Sequence, residues 1–257
     1  MGLSKTLIIA LYTFKEIWKS KILLNVFFVG VGLMVVTYVA TEFTYGVPER
    51  VALDFGLGML SISSLGISLF LGVGLLSKEI ESRTVYMIVS RPIPRHTFIL
   101  GKLIGLMGIQ AVNVLILTFM TMSTTRFLGG EINGMIFWTI GFIFLESLML
   151  LLVVVLLSLV ANNILSVLFS LALLLLGHVI KDTQDISFVK DNPLVLKILE
   201  VYHFVLPAFY KLNLKDFILY RNDLPLSYLM ANLAYGILYS AFLLLLVVFI
   251  FQRKNLD

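Results

Sequence analysis

Glu146, Gln110 and Asn113 are polar side chains inside long apolar runs. A charge at the centre of a bilayer costs about 2.5 to 3.5 kcal/mol on insertion scales, so Glu146 needs a chemical role or a partner. It can serve as a substrate or proton site. The preferred reading is a protonated or hydrogen-bonded carboxyl that fixes helix packing or a dimer interface. Gln110 and Asn113 can each hydrogen-bond a neighbouring helix for about 1 kcal/mol, and packing is their default role. Together the three residues form a candidate intramembrane polar site.

Other chemistries find weaker support. His178 and His203, with Asp182 nearby, invite a metal reading, but the chain has no cysteine and no pair of histidines at helical spacing to support it. Ser64 and Ser68 lack a convincing general base for nucleophilic catalysis. Gly101-Lys102 resembles the end of a phosphate-binding loop, yet His96 stands where that loop needs its first glycine, and no strand leads into it. No catalytic residue, cofactor or metal is therefore assigned to this chain. The chain has no cysteine, which forbids disulfides.

The elements that must position these residues are membrane helices. Hydrophobic residues make up 60% of the 257 and charged residues 13%, about half the charge of an ordinary soluble domain. A helix crosses the hydrocarbon core with about 20 apolar residues. Six runs qualify or nearly do, at 22–41, 56–77, 103–125, 135–161, 164–180 and 228–251. The fifth is short and is set off from the fourth by Asn162-Asn163, read as a tight polar turn. Residues 4–20 place Leu7, Leu11, Phe14 and Trp18 at helical spacing among lysines, the pattern of a helix lying in the membrane interface. In the second run Gly56, Gly58, Ser61, Ser63, Ser64, Gly66, Ser68, Gly72 and Gly74 leave room for close helix packing or, less simply, for a substrate path.

A dense polar island separates the second and third runs. It carries Lys78, Glu79, Glu81, Arg83, Thr84, Arg91, Pro92, Pro94, Arg95 and Lys102. Residues 79–90 can form a short helix, and Arg91-Pro92-Ile93-Pro94 enforces extended backbone after it. Basic residues gather in this island, in the N-terminal segment and in the tail, whereas the opposite short loops hold only Arg50 and Arg126. The positive-inside rule then puts both termini and the island in the cytoplasm. The +4 net charge lies at that face, where anionic lipid and a protein surface account for it without nucleic acid. The segment 181–227 balances six basic residues with six acidic ones. Within it, 194–210 is apolar but broken by charges and by Pro207, so two short helices are expected, dipping into the outer leaflet or lying on it.

The order of acidic residues, Thr84, an apolar run, Ser90-Arg91-Pro92-Ile93, Arg95, Phe98 and Gly101-Lys102 resembles the cytoplasmic loop of type-2 ABC transporter permeases. The layout of interfacial helix, six spans, long loop before the last span and a tail Gln252-Arg253-Lys254-Asn255-Leu256 is similar to that family over nearly the whole chain. Arg83 departs from the glycine that many members carry there.

The resemblance implies an all-α integral membrane protein forming one permease domain over 1–257. It would have an N-terminal elbow helix, six transmembrane helices, a cytoplasmic coupling helix between spans 2 and 3, and short extracytoplasmic or re-entrant helices between spans 5 and 6. It implies two soluble ABC ATPase subunits that bind ATP and Mg, a second permease subunit, identical or related, and residence in the plasma (inner) membrane. Glu79, Glu81, Arg83, Thr84, Arg91, Pro92 and Arg95 would form the ATPase-coupling loop. The expected function is export or extrusion of a substrate. The alternative is a scaffold that passes ATP-driven motion to an extracytoplasmic protein docked on the 181–227 loop.

Overall fold

A computed structural model describes residues 2–20, 22–42, 48–81, 94–183, 206–219 and 224–253. Among them the chain is all helix: α1 (Gly2–Lys19), α2 (Ile22–Glu42), α3 (Pro48–Glu81), α4 (Arg95–Phe127), α5 (Gly134–Val160), α6 (Asn163–Thr183), a 3-10 turn (Phe209–Leu212), α7 (Lys215–Leu219) and α8 (Leu226–Arg253). Each expected apolar run lies in one helix. Four of these, α3, α4, α5 and α8, are long and apolar enough to cross a membrane, while α2 and α6 contribute shorter apolar stretches, Val26–Glu42 and Asn163–Val179.

The two largest departures from the expected spans are helix starts, and proline explains both. Pro48 is the first residue of α3, a position where a missing N–H costs nothing, so that helix starts eight residues before the run at 56. Pro94 is extended, as anticipated, with φ −61° and ψ 141°, and α4 begins on the next residue instead of at 103. Gly101 and Lys102 therefore lie within a membrane helix. At the other end of α4, Gly129 takes φ +87°, a left-handed conformation natural to glycine. The N–H of Gly130 returns to Thr125 O at 2.9 Å and closes the helix end.

The core is centred on α5. Met149, Leu150, Leu151, Leu152, Val153, Val154 and Val155 are all buried, so every face of that stretch is covered by protein, as expected of a helix that is apolar all round. α3, α4, α6 and α8 pack around it. Large side chains point outward from the outer helices, among them Phe70, Leu115, Phe119, Ile164, Leu238 and Leu245. In water such a surface drives association; against acyl chains it costs nothing.

Small residues set the distances between helices. A Cβ on Gly72 would lie 2.7 Å from Val154 of α5, one on Gly56 would lie 2.2 Å from Thr121 of α4, and one on Gly30 of α2 would collide with Met120. Ser61, Ser64 and Ser68 are buried on α3. Close packing thus uses Gly56, Gly72 and these serines. Gly58, Gly66 and Gly74 meet nothing within 4 Å.

α1 covers the expected amphipathic helix, but it is docked on protein. Gly101, Gly105 and Gly108 form a stripe along α4. Cβ atoms there would meet, in turn, Ile9 Cβ at 2.7 Å, Thr13 Cβ at 2.7 Å and the Phe14 ring at 3.1 Å. The contacts ascend together along both helices, so α1 runs parallel to α4. Leu7, Leu11 and Trp18 remain exposed, but Phe14, the fourth residue of the expected lipid-facing stripe, turns inward onto Gly108; Ala10 and Thr13 are buried, and Lys102 Nζ reaches Glu16 Oε2 at 3.7 Å. Gly105→Leu should overpack this seam and lower stability by about 1 to 3 kcal/mol, whereas Gly74→Leu, in open space, should change little. Unfolding of the two purified variants in detergent tests this, and equal midpoints would contradict the docking.

Candidate functional site

The three candidate polar residues, Gln110, Asn113 and Glu146, fall in two places. Gln110 and Asn113 lie one turn apart on α4 and both are fully buried. Gln110 Nε2 donates to Ser64 O at 2.9 Å, and Asn113 Nδ2 donates to Ser64 Oγ at 3.2 Å. One turn along α3, Ser68 Oγ lies 2.9 Å from Ser64 O and 2.8 Å from Ser147 O of α5, sharing its proton between two carbonyls. These bonds form a polar seam joining α3, α4 and α5. A serine so engaged is not poised as a nucleophile.

Glu146 is engaged elsewhere. It is 1% exposed, and its Oε1 lies 3.2 Å from Nε2 of His178 on α6. His178 Nδ1 bonds Leu174 O at 2.9 Å, and its ring lies parallel to Phe209, with centroids 6.1 Å apart. Gly177 lets the chain come this close, since a Cβ there would sit 2.6 Å from Pro207 O. Residues 207–212 are wedged between α6 and α8: Pro207, Ala208, Phe209 and Leu212 are buried, and the N–H of Ala208 donates to Tyr235 Oη of α8 at 2.8 Å. Of the two short helices expected within 194–210 with a break at Pro207, the described residues hold only a 3-10 turn, Phe209–Leu212, after the proline; α7 lies beyond that stretch. The stretch 194–205, with His203, lies outside the described residues.

The residue types alone do not single out His178 as the partner of Glu146. A usable signal was there: the two residues are equidistant in sequence from Asn162, so a hairpin turning at Asn162 brings them level. The glycine stripe on α4 also carries a local signal, since Gly101 and Gly105 have the G-x-x-x-G spacing that marks close helix contacts.

At the end of the bundle that carries the polar island, charges tie helix ends together. Arg95 Nη1 donates to Gln252 O at the end of α8, 3.3 Å away, where a cation complements the helix dipole. Phe98 stacks on Phe251, and Arg253 lies 4.2 Å over Phe249. α3 and α4 are antiparallel, with Gly56 beside Thr121 and Ser64 beside Gln110. Continuing that register brings the last turn of α3, with Glu79 and Glu81, level with Arg95. Arg83, Thr84, Arg91 and Pro92, and with them most of the expected coupling helix, lie outside the described residues. Glu79 to Glu81 continue α3 without a break.

At the opposite end a cleft of about 1030 Å³ opens, lined among others by Glu49, Arg50, Glu131, Trp138, Phe217 and Leu229. It mixes charge of both signs with aromatic and aliphatic walls, a surface suited to amphiphilic molecules. Four separate segments build it, so no local sequence signal announces it.

Long apolar helices of alternating direction, glycine and serine seams and an outward greasy surface define a multi-pass membrane protein. The profile of the ABC-2 family transporter proteins matches residues 7–256. The chain belongs to that family, and it is a membrane permease subunit of an ABC transporter. No curated protein matches it at a significant level of similarity.

Replacing Gln110 by Leu removes a donor to Ser64 O while Ser68 still serves that carbonyl. The expected loss is about 0.6 kcal/mol, and no more than about 1.7 kcal/mol, read from reversible unfolding in mixed micelles. A loss well beyond that range would mean that Gln110 does more than join helices.

Proposed function

We propose that this chain is one of two permease subunits of an ATP-driven exporter, with six spans, both termini in the cytoplasm and residence in the plasma membrane. α2 and α6 complete the six spans despite their shorter apolar stretches. ATP and Mg bind on two separate ATPase subunits, and the loop between α3 and α4 receives the motion made there. The observation that carries this reading, beyond family membership, is the arrangement at one end of the bundle. At about 1.5 Å per residue, the 34 residues of α3 and the 33 of α4 make helices of about 50 Å, far longer than the roughly 30 Å hydrocarbon core. Their polar ends around Glu79, Glu81 and Arg95 therefore project beyond lipid, where a soluble partner can grip them.

The mechanism follows from what those ends hold. Arg95 anchors to the end of α8, and Lys102 to Glu16 of α1. A push on the loop between α3 and α4 then moves α1, α4 and α8 together, and the polar seam carries it to α3 and α5. Closure of the ATPase pair would in this way change the spacing of the spans and expel the substrate laterally or outward. The cleft at the opposite end is the natural place for an amphiphilic cargo to leave.

Alanine at both Glu81 and Arg91 should cut ATP-dependent activity by at least about tenfold, a loss of about 1.4 kcal/mol or more. The measurement is ATPase stimulation in vesicles containing the permease and its copurified ATPase, with binding followed separately by pull-down. Full stimulation by the double variant, or failure of the intact chain to bind any ATPase, would sink the proposal.

A further inference from the structure

Glu146 and His178 have no part in the coupling scheme, yet their geometry sets how many protons they hold. The atom that His178 Nδ1 meets is a carbonyl oxygen, Leu174 O, which only accepts, so Nδ1 carries the hydrogen. In a neutral ring Nε2 is then a lone pair, and it faces Glu146 Oε1 at 3.2 Å. An ionised carboxylate opposite that lone pair would set two acceptors against each other in a site where Glu146 is 1% exposed. A buried arrangement of that kind is strongly unfavourable. One proton between Oε1 and Nε2 removes the conflict. The pair is then either a neutral acid with a neutral imidazole or a carboxylate with an imidazolium, and both carry zero net charge. Neither Glu146 oxygen has a well-aligned hydrogen bond among the described residues, so no other donor there takes the proton's place.

We propose that Glu146 and His178 form a binding site for one exchangeable proton, whose presence holds residues 207–212 against α5, α6 and α8. The mechanical link is the His178 ring. One edge faces Glu146, its face lies along Phe209, and the neighbouring Gly177 is in contact with Pro207 O. When the proton leaves, the carboxylate and the ring must separate or admit water, and the ring cannot turn without disturbing Phe209. Among the described residues, the other charged or titratable groups around the pair are Lys215 of α7, whose field reaches His178, Tyr210 and Lys211 of the wedged segment, and Tyr235 of α8, under Lys211 Nζ at 4.5 Å. None of them bridges Glu146 and His178.

The absence of cysteine from the chain allows a test without background. Ala208→Cys places one thiol at a buried position of the wedged segment. Its maleimide labelling rate is measured in nanodiscs from about pH 5.5 to about pH 9, and divided by the rate with Glu146→Gln added. The glutamine amide donates permanently to Nε2, and the division cancels the thiol's own titration. The expected ratio is near one at the acid end and rises with pH, by at most about tenfold per pH unit for a single proton. A ratio that stays flat overturns the proposal. If the glutamine variant does not fold, the infrared pH-difference spectrum of the wild-type chain decides instead. Loss of a protonated-carboxyl or imidazolium band, together with labelling of Ala208→Cys that rises more steeply with pH than that of an exposed cysteine control, supports the site. Labelling that follows the control at every pH overturns it.

Discussion

Close approach of backbones, in a solvent that gives helices no hydrophobic reason to associate, is the constraint on which this fold depends. α4 shows it best. At one end its glycines admit α1, in the middle Gln110 and Asn113 bond to α3, and further along Thr121 fills the notch at Gly56. Each contact needs a small or polar residue at one position and would be lost to an ordinary aliphatic one. The apolar bulk of the helices decides that they enter the bilayer. These few positions decide which neighbours they meet.

The two kinds of buried polar residue do different work in that setting. Ser64, Ser68, Gln110, Asn113 and the Ser147 carbonyl hydrogen-bond one another and join three helices. Glu146 and His178 leave a titratable group facing another across a helix boundary, with a wedge of irregular backbone stacked behind. Irregular backbone at that depth survives only when its polar groups find partners in protein, and Tyr235 supplies one to Ala208. The bundle thus separates a rigid seam from a region whose stability depends on a side-chain pair.

Much of this architecture was legible in the residues. Every long apolar run became a helix, because few alternatives satisfy backbone groups in lipid, and the prolines at 48 and 94 mark helix starts by simple chemistry. The start of α4 is not legible in the same way, because Lys102 reads as an interfacial residue. Only the tertiary structure shows its Glu16 partner and its seat over the Phe98 ring. The role of α1 was half legible: its exposed stripe follows from helical spacing, but its buried face depends on glycines more than eighty residues away. Gln110 and Asn113 could be read as joints between helices, since any amide in that medium seeks a partner. The pairing of Glu146 with His178 depends instead on the geometry of the turn between their helices.

That turn has a mechanical meaning. Asn162 Oδ1 accepts the N–H of Leu165 at 2.9 Å, so α5 and α6 meet almost without slack at a fixed pivot. Glu146 and His178 each stand about 24 Å out along the two arms. The hairpin is a pair of tweezers whose tips are these two side chains: splaying the arms by about 5° parts the tips by about 2 Å, given that arm length. A strain too small to notice at the pivot is enough to break contact at the tips.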